Sequence, residues 1–331
     1  MSERLRVGLV GTGRLGYLYA ELLRTEIPEA NLVAIAGHRA EEISNAWHIP
    51  NWSLDRKSVI NDPGVDAVII VSSTDTHIEF ITEAIAAKKP VFCEKPLAMK
   101  SDDLNALQLR IEAEDAYVQI GFMRRYDKGI SRLAEIVQAS EIGNPVLFKS
   151  TSRDKALPTL DYCRTSGGLL LDMAIHDFDL ARWIMMEEVD SVYCVGTVNV
   201  YDELLEIGDI DNALCILDFK DGSTGMIDVS RCAHYGYDVH TEVLGSHGML
   251  RAGYYRDTPL LHFEDNRVSH DIVREFGPRY RDAFRLQLTD FVHNVLFKYE
   301  SPVTFWDGLQ ALRIAEAAQV SRLTERKVVV K

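Results

Sequence analysis

Asp172 and His176 stand one helical turn apart in the run GGLLLDMAIHDFDLARW, Gly167 to Trp183. At about 100° per residue the run reads as a helix that is apolar nearly all round, through Leu169, Leu170, Met173, Ala174, Ile175, Phe178, Leu180 and Ala181. The exception is a stripe of Asp172, His176 and Asp179. Buried polar groups cost free energy unless they are paired or used, so the stripe either satisfies itself inside a core or faces a cleft. In a cleft, an imidazole can take a proton near neutral pH, and the carboxylate one turn earlier can orient the ring and stabilise the imidazolium. Asp179 has a separate use as an i,i+3 partner of Arg182.

A second candidate lies near the start. An apolar strand, Leu5 to Val10, runs into GTGRLG (Gly11, Gly13, Arg14, Leu15, Gly16) and then a helix pattern ending near Thr25. In that setting the glycines have separate tasks: Gly11 for the tight turn, Gly13 for close approach of a pyrophosphate, Gly16 for helix-strand packing. The phosphates then sit at a helix N-terminus. The next strand, Leu32 to Ala36, ends in Gly37-His38-Arg39, and the first acids, Glu41 and Glu42, already belong to the following helix. The acidic residue that ordinarily binds the ribose of NAD is therefore absent. Arg14 and Arg39 offer a seat for a 2′-phosphate, so NAD and NADP both stay open.

The positioning elements follow the same rhythm. Ala67 to Val71 is a continuous apolar strand ending in Ser72-Ser73-Thr74, with Thr76 and Glu79 spaced as a capping box for a helix that opens near His77. Val91 to Cys93 leads to Glu94-Lys95-Pro96, followed by a helix (Asp102 to Glu114) and a strand (Tyr117 to Ile120). Strand and helix alternate, which predicts an α/β Rossmann domain, a doubly wound parallel sheet, over residues 1–121. Ligands bind beyond the carboxyl ends of such strands, where His38, Arg39, Ser72, Ser73, Thr74, His77, Glu94 and Lys95 fall. Lys95 is either a donor to a reacting oxygen or a surface charge paired with Glu94.

Residues 122–331 change texture. GFMRRYD leads to a helix from Lys128 to about Ala139, then a strand from Val146 to Arg153 and a polar loop with Asp154, Asp161 and Tyr162. Beyond the His176 helix come strands at Val189 to Tyr201, Ala213 to Phe219, Thr224 to Ser230, Thr241 to Leu244 and Met249 to Arg251, with a hairpin signal at Lys220-Asp221-Gly222. Helices near Tyr280 to Phe297 and Trp306 to Leu323 close the chain. This predicts an α+β domain with a large, mostly antiparallel open sheet whose bare face needs a cover, for which a second subunit is suited.

Composition narrows the partners. A net charge of −14 with no basic cluster argues against nucleic acid. No apolar run reaches the ~18 residues of a membrane span, and no targeting segment is apparent, which predicts a cytoplasmic protein. Five cysteines (Cys93, Cys163, Cys194, Cys215, Cys232) form no CxxC pair and mostly sit in apolar strands, as buried thiols rather than a metal site.

Together these stretches resemble the glucose-fructose oxidoreductase, inositol dehydrogenase and rhizopine catabolism (Gfo/Idh/MocA) family over essentially the whole chain. The residues that carry the resemblance are GTGRLG, Glu94-Lys95-Pro96, GFMRRYD, SRDKALP (Ser152 to Pro158), GGLLLDMAIHDFDLARW, and YGYD (Tyr235 to Asp238) followed by EVLGSHGML. The inositol dehydrogenase branch is the most similar. The resemblance implies NAD- or NADP-dependent oxidation of a ring hydroxyl of myo-inositol or a close cyclitol to a ketone. It implies Lys95, Asp172 and His176 as the catalytic set, Arg125, Asp154 and Tyr235 beside the substrate, and a homodimer or homotetramer joined through the C-terminal sheet. Gly37 departs from similar enzymes, which often carry Asp there. Other readings stay open: a dehydrogenase or reductase of scyllo-inositol or another sugar, or a dinucleotide sensor without turnover.

Overall fold

The computed structural model describes residues 4–253 and 256–331. Two compact units emerge: Met1–Met123 with Asp282–Gln310, and Arg124–Arg281 with Ala311–Lys331. The late segment Asp282–Gln310 thus belongs with the N-terminal unit by packing, although chain order sets it far from there.

In the first unit six strands pair in parallel in the order β3-β2-β1-β4-β5-β6. They are β1 (Leu5–Val10), β2 (Ala30–Ala36), β3 (Asn51–Ser53), β4 (Ala67–Ile70), β5 (Val91–Glu94) and β6 (Val118–Gly121). The helices between them are α1 (Arg14–Thr25), α2 (Ala40–Trp47), α3 (Arg56–Ile60), α4 (His77–Ala86) and α5 (Asn105–Glu114). Every residue of β4 and β5 is buried, as a strand covered on both faces requires, and each large aliphatic side chain there contributes roughly 1.5–3 kcal/mol. An aromatic cluster closes the core: Tyr19 packs edge-on against Phe92 (6.1 Å) and Phe284 (5.9 Å), and Phe92 against Phe291 (5.8 Å). The amide of Ile120 donates to the Val303 carbonyl at 2.9 Å, fastening the late segment to β6.

The second unit is built on a seven-stranded mixed sheet in the order β12-β11-β7-β10-β9-β8-β15. Its strands are β7 (Pro145–Arg153), β8 (Val189–Thr197), β9 (Asn212–Phe219), β10 (Thr224–Ser230), β11 (Asp238–Gly245), β12 (Gly248–Gly253) and β15 (Val328–Val329); β13 (His262–Glu264) and β14 (Arg267–Ser269) form a separate small hairpin. Only β7 and β10 run parallel; the other pairs are antiparallel. The expected Lys220-Asp221-Gly222 turn joins β9 to β10, with Asp221 Oδ1 accepting from the Ser223 amide at 2.8 Å. Helices α6 (Lys128–Gln138) and α8 (Ile175–Met185) pack on each other, α6 also on β12 and α8 on β7. On β8 and β9 the pairs Tyr193–Ile216 and Val195–Leu214 stand exposed, while their neighbours Cys194 and Cys215 are buried with sulfurs 3.3 Å apart. Among the described residues no helix is long and apolar enough to cross a membrane.

Three local expectations are corrected. The run from Gly167 is not one uniform α-helix: α7 (Leu160–Ser166) occupies part of the expected polar loop, and a π-helical turn, Leu170–Ala174, precedes α8. Thr76 makes no side-chain cap for α4; a 3₁₀ turn, Thr74–Thr76, comes first, and the Thr76 hydroxyl donates to the Ser73 carbonyl at 2.7 Å. Gly168 is small because its φ is +81° and a Cβ there would lie 2.6 Å from Asp209 Oδ1, a constraint internal to the protein rather than one imposed by a ligand.

Candidate active site

The first unit offers a cradle at the carboxyl ends of its strands. β1 enters the glycine loop beside the end of β4, where the strand order reverses. A Cβ on Gly11 would sit 2.5 Å from Val71 backbone atoms and one on Gly16 would sit 2.2 Å from the Gly11 carbonyl, so both are small because backbone meets backbone. At Gly13, the N-cap of α1, a Cβ would meet nothing within 4 Å. The opening there faces the free N–H groups of a helix start, which fits a dinucleotide pyrophosphate. Arg14 is exposed and Leu15 half-buried in the same loop.

The ribose end of the cradle explains the missing acid. Gly37 has φ +145°, and a Cβ there would lie 2.5 Å from Thr12 Oγ1. That hydroxyl accepts from the Arg39 amide (3.0 Å) and lies 3.3 Å from His38 Nδ1. An aspartate at this position would be strained, its backbone held at positive φ and its Cβ pressed on the Thr12 side chain. Arg39 places its guanidinium on Glu42 through bonds of 2.8 and 2.6 Å, and its pKa is raised by that hydrogen bond and charge.

At the end of β4, Ser72 and Thr74 are half-buried and Ser73 is exposed, with Ser72 Oγ 2.7 Å from Thr76 Oγ1. His77 and Glu94, at the same edge, are both engaged by protein groups. The His77 ring is buried between two carbonyls, Pro96 at 2.8 Å and Ser72 at 3.1 Å, and burial pushes its pKa down. Glu94 accepts a very short hydrogen bond from Tyr19 and one from the Lys95 amide at 3.2 Å; Gln287 donates to the Tyr19 oxygen at 2.6 Å. Burial raises the Glu94 pKa, against the lowering pull of Tyr19 and Lys95. These struts fix the turn that carries half-buried Lys95.

The second unit carries Asp172 within its π turn and buried His176 in the first turn of α8. Single π turns are common at functional sites because the extra residue re-aims a side chain. Asp172 Oδ1 accepts from the Tyr162 hydroxyl (2.8 Å) and Oδ2 from Arg231 Nη2 (3.2 Å). Asp154 follows β7, its amide bonded to the Ser230 carbonyl (2.8 Å) and its carbonyl to the Ala233 amide (2.9 Å). Tyr235 donates to Asp238 Oδ2 (2.7 Å) and accepts from Arg153 (3.3 Å). Imidazole, carboxylate and phenol, all groups that hydrogen-bond hydroxyls, are thus presented by one unit.

Arg125 is buried, bonded twice to Asp179 (2.8 and 2.5 Å), with its guanidinium 5.4 Å from the Trp183 ring centre. Asp179 thus has a partner on another element, and Glu188 engages Arg182 at 2.5 Å. Sequence reasoning passed over Arg124 and Asp177, a parallel buried pair at 2.9 Å in which Asp177 also accepts from Ser150 and Ser152. Burial alone would lower the Arg124 pKa and is the largest single influence; Asp177, Tyr280, Tyr237 and Asp154 together outweigh it and hold the group above its ordinary value. The signal was present as an arginine doublet, 124–125, facing acids two apart, 177 and 179. Arg231, Tyr162 and Asp209 carried no comparable pattern.

The model of the oxidoreductase family with an NAD-binding Rossmann fold matches residues 5–122, and that of the Gfo/Idh/MocA C-terminal domain matches residues 130–251. The chain belongs to the Gfo/Idh/MocA family. A myo-inositol 2-dehydrogenase of Thermotoga maritima is 40% identical over 98% of this chain and 98% of its own. A Bacillus subtilis scyllo-inositol 2-dehydrogenase (NAD(+)) is 34% identical over 96% and 94%. Among solved structures, scyllo-inositol dehydrogenase from Lactobacillus casei with bound NAD(H) and scyllo-inositol superposes with a TM-score of 0.93 at 30% identity, covering 99% of each chain. This Gfo/Idh/MocA member therefore carries the nicotinamide dinucleotide fold of its family in the first unit and the family's mixed sheet in the second.

Proposed function

We propose that the protein oxidises one ring hydroxyl of myo-inositol, or of a close cyclitol, to a ketone, using NAD. The observation that carries this reading is buried His176 following Asp172 in a π turn, in the unit that also presents Asp154 and Tyr235. The inositol specificity of the relatives supports it.

Held by the glycine loop, a nicotinamide dinucleotide would supply the hydride acceptor. The chain's own residues do the rest: His176 takes the hydroxyl proton, Asp172 holds the geometry and stabilises the imidazolium, and Lys95 donates to the reacting oxygen as charge builds on it. Gly11, Gly13 and Gly16 seat the pyrophosphate. Arg125 shapes the site through Asp179. NAD is favoured over NADP because Glu42 already occupies the Arg39 guanidinium. The exposed face of β8 and β9 supports a homodimer or homotetramer joined there, and the unbridged thiols support a reducing, cytoplasmic setting.

Initial rates of reduced-cofactor formation on a panel of cyclitols and aldoses, with NAD and NADP, test the reading. Turnover of myo- or scyllo-inositol with NAD is expected; activity confined to aldoses, or none, contradicts it.

A further inference from the structure

Arg231 has the largest fully buried side chain among the described residues. A buried guanidinium costs several kcal/mol unless well paired, so its partners define what it is for. Its backbone amide is fixed to the Asp211 carbonyl (2.9 Å) immediately after β10, so the side chain springs from a rigid sheet end. Nη2 donates to Asp172 Oδ2 (3.2 Å); Nη1 donates to Asp209 Oδ2 (3.4 Å) and Cys163 Sγ (3.0 Å). Asp209 in turn accepts from the Leu169 amide (2.9 Å), at the entrance to the π turn.

One guanidinium therefore fixes both the start of the π turn, through Asp209, and the carboxylate inside it. Tyr162 completes the grip from the other side, so each Asp172 oxygen is held by a protein donor. Two carboxylates, Asp172 and Asp209, flank the one guanidinium beside the turn, and the negative charge of Asp172 favours the imidazolium formed when His176 takes a proton.

We infer that Arg231 is a positioning residue that, with Tyr162, clamps the Asp172 carboxylate in its working orientation. The inference rests on the proposed oxidation of a cyclitol with Asp172 and His176 in the reaction. A held carboxylate matters because about 1 Å of misplacement is enough to cost on the order of 100-fold in rate.

Arg231→Lys keeps the charge and loses the planar fork. It is expected to lower kcat about 100-fold with the NAD dissociation constant unchanged. Tyr162→Phe removes one hydroxyl at an exposed position and is expected to lower kcat/KM about 10-fold with an unchanged Tm. Arg231→Met removes the positive charge, and the NMR titration midpoint of the His176 ring, assigned with His176→Gln, is expected to rise. Wild-type kcat and KM in Arg231→Lys, whatever its Tm, overturn the inference; if that variant does not fold, wild-type kinetics in Tyr162→Phe overturn it. If the unaltered enzyme turns over no cyclitol, the functional reading fails by itself, and an unmoved His176 midpoint in Arg231→Met then decides against the clamp.

Discussion

Arg125 and Asp179 face each other through two hydrogen bonds, of 2.8 and 2.5 Å, with both side chains nearly lost to solvent. Removing one partner strands a buried charge, which costs about 3–5 kcal/mol, whereas replacing both with apolar groups is far less damaging. Arg125→Met is therefore expected to lower the urea midpoint sharply, and Arg125→Met with Asp179→Leu to recover most of the loss. Equal destabilisation by the single and double changes would contradict the pair as described.

His176→Ala, with its fold intact by circular dichroism, is expected to reduce kcat by roughly two to four orders of magnitude while NAD binding, measured by fluorescence titration, is unchanged. Near-normal turnover would remove His176 from the reaction.

Gly37 separates two explanations of the missing acid. Because its backbone has φ +145° and Thr12 fills the space beside it, Gly37→Asp is expected to destabilise the first unit by about 1–3 kcal/mol and to weaken NAD binding. Tighter NAD binding with an unchanged melting temperature would show the position to be open to an ordinary ribose-binding acid.

Glu94 provides a pH signature. Its folded-state pKa lies above the ordinary carboxylate value, because burial penalises the charge more than Tyr19 and Lys95 relieve it. In the window between those two values the native state binds more protons than the unfolded chain, so stability falls as pH rises through it and is level above it. Glu94→Gln is expected to lack that fall in a series of unfolding midpoints. An identical pH dependence in both proteins would assign the slope to other groups.

The exposed cross-strand pairs Tyr193–Ile216 and Val195–Leu214 lead to a further variant. Ile216→Glu is expected to shift the mass seen by light scattering toward the monomer, and an unchanged oligomer would move the interface elsewhere.

The sequence made the strands and the glycine loop readable because their signals are local: a short apolar run, then residues whose smallness serves backbone contacts a few positions away. β1 and β10 were placed to the residue. The π turn was not readable, since a 100° periodicity cannot register one extra residue, and Arg231, which bonds Asp172 inside the turn, stands 59 positions away. The same limit hid the bond of Asp179 to Arg125, which stands 54 positions away and outside any i,i+3 spacing. His77 and Glu94 sat at the correct strand ends, but which way each side chain turns depends on Ser72, Pro96, Tyr19 and Gln287, none of them an evident neighbour in sequence.

The central claim is that this protein moves a hydride from a cyclitol ring carbon to a nicotinamide. Perdeuterated myo-inositol incubated with NAD, followed by mass analysis of the reduced dinucleotide, tests it directly. The reduced cofactor is expected to be one mass unit heavier than that formed from unlabelled inositol; no reduced cofactor, or one of unchanged mass, would contradict hydride transfer from the ring.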